Sequence, residues 1–512
     1  MNIMYNYFIK VVLFMKIVII GAGLAGLTYG ALASKNGHEV IIYEKNSVPG
    51  GVTSLLEYNG YKFEQGPLLI GDMLEGEPIY EFLKSLGITL PIVRADRDIS
   101  FLDYDLIRPK EYLGPYWRRD YLAKIFPEDK EGLDRYYKFY DDVMHIRYLS
   151  TLPNNFINKL RLLIAFLKVK KYTKMNADEL TKHFFKNEKL RLVYTGILAD
   201  FCADPNEVIG LTTVFTNFET AFDERIPLYR KNKKYYPGFC YIEGGVQKLP
   251  EALANYITSN NGKIIYNTIV DKVLIENNKV KGVRLEGDIE VSADYVIGCG
   301  SGKDFFKNTV GYEYLNEEYI KVVEEYKNME GVFMLHLGVD MDPMQYLRSS
   351  LIYCYRMYNL SEATKKLRNG IYHEGDDGFL IFVPSNHASD FAPKGHHAIT
   401  IYTVAPDTLK EGSWSEKKEE YAKKLIKLAE RHLPNLSEHI KEMKIMTPED
   451  YRIFTHMSKS SFGGNVPIWN QKTPTHFTPV TNLLFLGQQS ENGGGMGAVI
   501  LGAKDAYEKT KF

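Results

Sequence analysis

The chain has 512 residues, 45% of them hydrophobic and 25% charged, with a formal net charge of -1. This is ordinary globular composition, and it lacks the strongly basic footprint of a nucleic-acid binder. Single cores stop growing at roughly 250–300 residues, so the length calls for two structural domains.

The first long apolar run, residues 11–33, holds Lys16 and four glycines. It reads as a strand, a turn and a helix, not as a signal peptide or a membrane span. Residues 1–14 precede Met15 and the first strand, and are expected to be an extension or a non-native start. Residues 16–20 form the strand, and an alanine- and leucine-rich helix follows over about 24–36. Gly37 ends that helix, and a second strand, 39–43, closes at Glu44. The result is a βαβ unit of the usual size.

Gly21-Ala22-Gly23-Leu24-Ala25-Gly26 joins the strand to the helix. Gly21 permits the tight turn, Gly23 the approach of a pyrophosphate, and Gly26 close helix–strand packing. The helix start offers free N–H groups and the positive end of a dipole to phosphates. Glu44, at the end of the second strand, is placed to accept from a ribose hydroxyl. Lys45 beside it completes that end of the site. Gly50-Gly51 follow at once, a second glycine contact for an extended dinucleotide. That element favours FAD over NAD.

From about residue 76 to 235 helical periodicity dominates, aromatic residues are dense, and no long strand is convincing. Strands return at 263–266, 270–276, 279–285 and 295–298, a parallel strand and a β-meander that leads back to the sheet. Further strands are expected at 331–337, 379–383 and 398–404, a helix at 415–432, and a last strand at 483–486. A glycine-rich turn and a helix end the chain.

These motifs resemble the superfamily of monoamine oxidases, protoporphyrinogen oxidase and phytoene desaturases. Phe63-Glu64-Gln65-Gly66-Pro67 is similar to the Phe-Asp-x-Gly-Pro segment of the desaturase branch, with Glu64 in place of Asp. Gly244-Gly245-Val246, Thr447-Pro448-Glu449-Asp450 and Phe462-Gly463-Gly464 resemble the same branch. Val270 resembles the strand residue that meets the adenine through its backbone. Gly487-Gln488 and Gly493-Gly494-Gly495-Met496 resemble the closing flavin motif of the phytoene desaturases and retinol saturases. The resemblance implies an α/β fold: a dinucleotide-binding, Rossmann-like FAD domain with a discontinuous, mixed α+β substrate domain. The FAD domain is expected to collect 15–75, 236–310 and 441–512, and the substrate domain 76–235 and 311–440.

The implied reaction is hydride transfer between flavin N5 and a hydrophobic isoprenoid or polyene. Desaturation, saturation and isomerisation all remain open, as does the electron acceptor or donor. A soluble amine or porphyrinogen oxidase is the enzymatic alternative, and a prenyl-binding escort protein the non-enzymatic one. No cysteine lies near the C-terminal motif in sequence, so the flavin is expected to be noncovalent. No second dinucleotide fingerprint marks an NADPH site, and no catalytic acid or base is assigned.

Cys202, Cys240, Cys299 and Cys354 form no CxxC pair, and the twelve histidines form no cluster. Neither a metal site nor a disulfide framework is expected, and the location expected is a reducing, cytoplasmic one. Residues 154–174 carry apolar residues on two helical faces (Phe156, Leu160, Leu163, Ile164 and Leu167; Leu162, Phe166 and Val169), flanked by lysines and Arg161. One reading is a core helix with a solvated basic edge. The other is a peripheral contact with the inner face of a membrane.

Overall fold

In a computed structural model the described residues are 14–153, 155–226, 236–459 and 462–512. Expectations for residues 1–13 lie outside them. Phe14 is described; it is 74% exposed, with its ring against Gly37.

Five parallel strands form the first sheet, in the order Lys263–Ile265, Glu39–Tyr43, Lys16–Ile20, Tyr295–Cys299, Leu483–Leu486. Four of the five runs, all but Lys263–Ile265, are almost wholly Val, Ile, Leu, Tyr and Phe, as strands covered on both faces must be. Helices Leu24–Lys35 and Met496–Lys509 pack on each other, so the two ends of the chain share one layer. Gly37 takes a φ of +83° just past the first helix, as a helix stop requires. The meander is Val270–Glu276, Lys279–Leu285 and Ile289–Ser292, and the chain then returns to the first sheet through Tyr295–Cys299.

The second large sheet has seven strands. Their order is Ile440–Met446, Gly331–Val339, His397–Ala405, Gly378–Phe382, Leu351–Tyr355, Asp98–Ser100 and Asp105–Leu106. One face, with Phe333, Leu335, Ile381 and Ile401, packs under helix Trp414–Ala429. The other, with Met334, Tyr353, Phe382 and Tyr402, packs against the aromatic core of the helical segment. Strand Ile440–Met446 pairs with Gly331–Val339. The expected boundary at 440/441 therefore cuts a strand of this sheet, and the return to the first sheet comes later in the chain.

Shorter strands escaped the sequence reading. Leu55–Tyr58 and Tyr61–Glu64 form a hairpin around Asn59-Gly60, both at positive φ. Ile70–Gly71, Phe239–Ile242 and Ile92–Arg94 make a small third sheet.

The core-helix reading of 154–174 fails. Helix Phe156–Val169 buries only Ala165 and Val169. Phe156 is 80% exposed and Leu167 57%, and Ile157, Leu160, Leu163, Ile164 and Phe166 are exposed as well. No helix among the described residues is long and apolar enough to cross a membrane.

Candidate active site

Four strands of the first sheet end at one groove. Gly21 follows the first strand, Glu44 the second, Cys299 ends Tyr295–Cys299, and Gly487 follows Leu483–Leu486. The carboxyl ends of parallel strands, where connections leave on opposite sides, are where such sheets bind ligands. The groove encloses about 460 Å³, within the usual range for small-molecule sites.

Two helices start at this groove, and neither start is capped by a side chain: Leu24–Lys35 behind Gly23, and Met496–Lys509 behind Gly495. Uncapped N-terminal N–H groups are donors without partners inside their own helix, and they suit phosphate or a developing negative charge. A Cβ on Gly23 would meet nothing within 4 Å, whereas one on Gly26 would lie 2.2 Å from the Gly21 carbonyl oxygen. Gly23 thus leaves room in the groove, and Gly26 lets helix and strand touch.

Glu44 is buried, and its carboxylate ties the turn together. One oxygen accepts from the Ala22 N–H and the other from the Asn46 N–H, each at 2.8 Å. The Gly50 N–H donates to the Ala22 carbonyl, fixing the second glycine pair beside the first. Lys45 donates to the Ile453 carbonyl, and burial pushes its ammonium down to about 8.

Of the predicted set, Gly21, Gly23, Leu24, Ala25, Glu44, Lys45, Gly50, Gly51, Val270, Gly487, Gly495 and Met496 line the groove. Ala22 and Gly26 do not; they shape the turn behind it. The sequence reading missed Thr268, Asp271, Ser301, Asp304, His456 and Cys299, all in the lining. Cys299 is remote from the C-terminal motif in sequence but pairs with Leu486, one residue before Gly487. Burial pushes its thiol up to about 12, which keeps it protonated at neutral pH.

Glu64, in the Phe-Glu-Gln-Gly-Pro segment, is buried behind this region. Oε1 accepts from the Val246 N–H, and Oε2 has no hydrogen-bond partner among the described residues. Burial pushes its carboxyl up to about 8, so it is protonated at neutral pH. Glu491 turns away from the groove and accepts from the His476 N–H at 2.8 Å. No cluster among the described residues could hold a metal ion.

The family model for flavin-containing amine oxidoreductases matches residues 24–506. The chain belongs to that family. The oxidoreductase is 23% identical over 502 residues to prolycopene isomerase 1 of an Oncidium hybrid cultivar, covering 94% of this chain and 81% of that protein. It is 24% identical over 524 residues to a zeta-carotene-forming phytoene desaturase of Myxococcus xanthus, covering 96% and 93%. A solved oxidoreductase from Methanosarcina mazei shares the fold at a TM-score of 0.62 and 19% identity, over 97% of this chain and all of that one. The cofactor is FAD, and an extended groove with glycines at the strand ends and two uncapped helix starts fits it. As an enzyme of this family the chain is not the escort protein considered from sequence.

Proposed function

We propose that the enzyme uses FAD to oxidise, reduce or isomerise a long polyene or isoprenoid that it draws from a membrane surface. FAD, when bound, supplies two-electron redox chemistry at the flavin ring. The chain's own part is binding and electrostatics. Gly23 and Gly51 leave space in which the pyrophosphate would meet the start of helix Leu24–Lys35. Glu44 keeps one lone pair on each oxygen for the ribose after bonding Ala22 and Asn46. The register shift between Val270 and Lys272 takes backbone groups out of the ladder where the adenine is expected. Gly495 and Met496 would present the start of the last helix to the flavin, where it would favour negative charge on the ring.

The observation that carries the substrate class is the apolar face of helix Phe156–Val169. A long isoprenoid is held in bilayers, and its enzyme must meet one. Phe156, Leu160, Leu163, Ile164 and Leu167 form an exposed apolar stripe, flanked by Lys159, Arg161 and Lys168. That is the composition of a helix lying in a lipid interface. The relatives named as a prolycopene isomerase and a phytoene desaturase support a polyene for this chain too. The test is anaerobic mixing of the FAD-loaded protein with vesicles containing a carotenoid precursor, and separately with a primary amine and a porphyrinogen. A changed polyene spectrum supports the reading. Flavin bleaching by the amine or the porphyrinogen, with the polyene intact, would replace it with a soluble oxidase.

A further inference from the structure

The groove has a wall that belongs to neither glycine motif. Helix Pro448–Thr455 ends at it, and Phe454, Thr455, His456 and Met457 are all in its lining. Both ends of this short run are tied to the first sheet by hydrogen bonds to its main chain. Lys45 Nζ donates to the Ile453 carbonyl at 3.2 Å, and Asn46 Nδ2 to that of Phe454 at 3.5 Å. Beyond Met457, the Ser458 N–H donates to Asp304 Oδ2 at 2.8 Å. Lys45 and Asn46 follow strand Glu39–Tyr43, and Asp304 follows strand Tyr295–Cys299. Strand Lys16–Ile20, with the Gly21 turn at its end, lies between those two.

The two outer strands are two spacings apart, about 10 Å. The chain from Ile453 to Ser458 reaches at most roughly 18 Å, so it can bridge them over the glycine turn. His456, in the left-handed region at φ +56°, turns the chain within the span. The body of the helix is fixed: the buried Tyr451 hydroxyl donates to the Gln65 carbonyl at 2.5 Å, and Arg452 Nη1 to the Asp407 carbonyl at 2.6 Å. The run beyond it is held less firmly. The Lys45 and Asp304 ties are exposed, Ile453 is 76% exposed, and of residues 453–458 only Met457 is buried. Exposed backbone bonds with few buried apolar contacts mark segments that open locally. An extended FAD running from Glu44 and Val270 toward Met496 would pass between this run and the Gly21–Gly23 turn.

We propose that residues 453–458 are a strap that closes over FAD and lifts to let it in or out. This rests on the placement of FAD in the groove. The ties are made by protein groups alone, so they hold the strap whether or not FAD lies beneath it, and a required opening slows binding as well as release. Association is followed by flavin fluorescence on mixing apo-protein with FAD, and dissociation by exchange of bound FAD against excess radiolabelled FAD. Asp304→Ala and Ser458→Pro remove the two sides of one tie, and Ser458 is not in the groove lining. Each should speed association and dissociation together, at least fivefold, with Kd changed less than threefold, and the double variant should act like either alone. Faster dissociation alone, with Kd weakened in proportion, would make Asp304 a plain cofactor contact and overturn the strap. Hydrogen exchange of the native protein needs no variant: FAD should slow exchange over residues 453–458 at least tenfold, and an unchanged rate overturns the proposal even if Ser458→Pro fails to fold. A Gly23→Ala protein that binds FAD like the native chain would overturn the placement of FAD itself.

Discussion

Gly23 and Gly26 separate cofactor space from folding. Gly23 has φ -73° and ψ 173°, which alanine adopts freely, and its added Cβ would touch no protein atom. Alanine restricts the unfolded chain but is a poorer N-cap than glycine. The two effects oppose each other, and stability should change by less than about 1 kcal/mol. The methyl would instead stand in the groove where the pyrophosphate is proposed to lie. FAD affinity should fall at least tenfold, or about 1.4 kcal/mol. Gly26→Ala places a Cβ 2.2 Å from the Gly21 carbonyl oxygen and 3.0 Å from an Ile19 methyl. The first helix must then lift off the sheet, at about 1–3 kcal/mol or more. Thermal unfolding of each apo-protein, followed by FAD titration through flavin fluorescence, measures both quantities. A Gly23→Ala protein that binds FAD like the native chain, or that is as destabilised as Gly26→Ala, would refute this assignment of roles.

Glu44→Ala removes two buried charge-assisted acceptors, each worth about 1.5–3 kcal/mol. It should lower apo-protein stability as well as FAD affinity, whereas a carboxylate serving only the ribose would alter affinity alone. Glu64 has a folded pKa raised to about 8 from an ordinary 4.5, so its contribution to stability is full below 4.5 and is lost as pH rises through 8. Glu64→Gln should therefore flatten the fall in Tm between pH 5 and pH 8, an effect on the order of several kcal/mol; an unchanged slope would mean that another group sets it. Leu163→Asp with Leu167→Asp should abolish flotation with anionic vesicles at low salt and leave the Tm nearly unchanged, because both side chains are exposed. A large loss of Tm would show that the stripe is covered by protein.

The groove residues around the proposed nucleotide half of the site were legible because their determinants are local. Strand, glycine turn, helix and acidic strand end follow one another within thirty residues, and each carries its own chemistry. What depended on strand pairing was not. Cys299 comes to Gly487 only through the pairing of Tyr295–Cys299 with Leu483–Leu486, which no local pattern announces. The Asn59-Gly60 hairpin was visible, since that dipeptide is a strong signal for a two-residue turn, and it was passed over. Strands Asp98–Ser100 and Asp105–Leu106 are too short to show a period of two. The exposure of Phe156–Val169 could not follow from its pattern, because an apolar stripe reads the same whether protein or lipid covers it.

The central claim is an FAD enzyme acting on a membrane-held polyene. Its most direct test is a single anaerobic turnover with flavin and polyene absorbance recorded together, starting from both oxidised and reduced enzyme. The account predicts that one of the two flavin states converts a carotenoid precursor in vesicles, in a stoichiometry of one polyene bond per flavin if the reaction is redox and with the flavin spectrum restored if it is isomerisation. A polyene left unchanged by both states, with an amine or porphyrinogen bleaching the oxidised flavin, would contradict it.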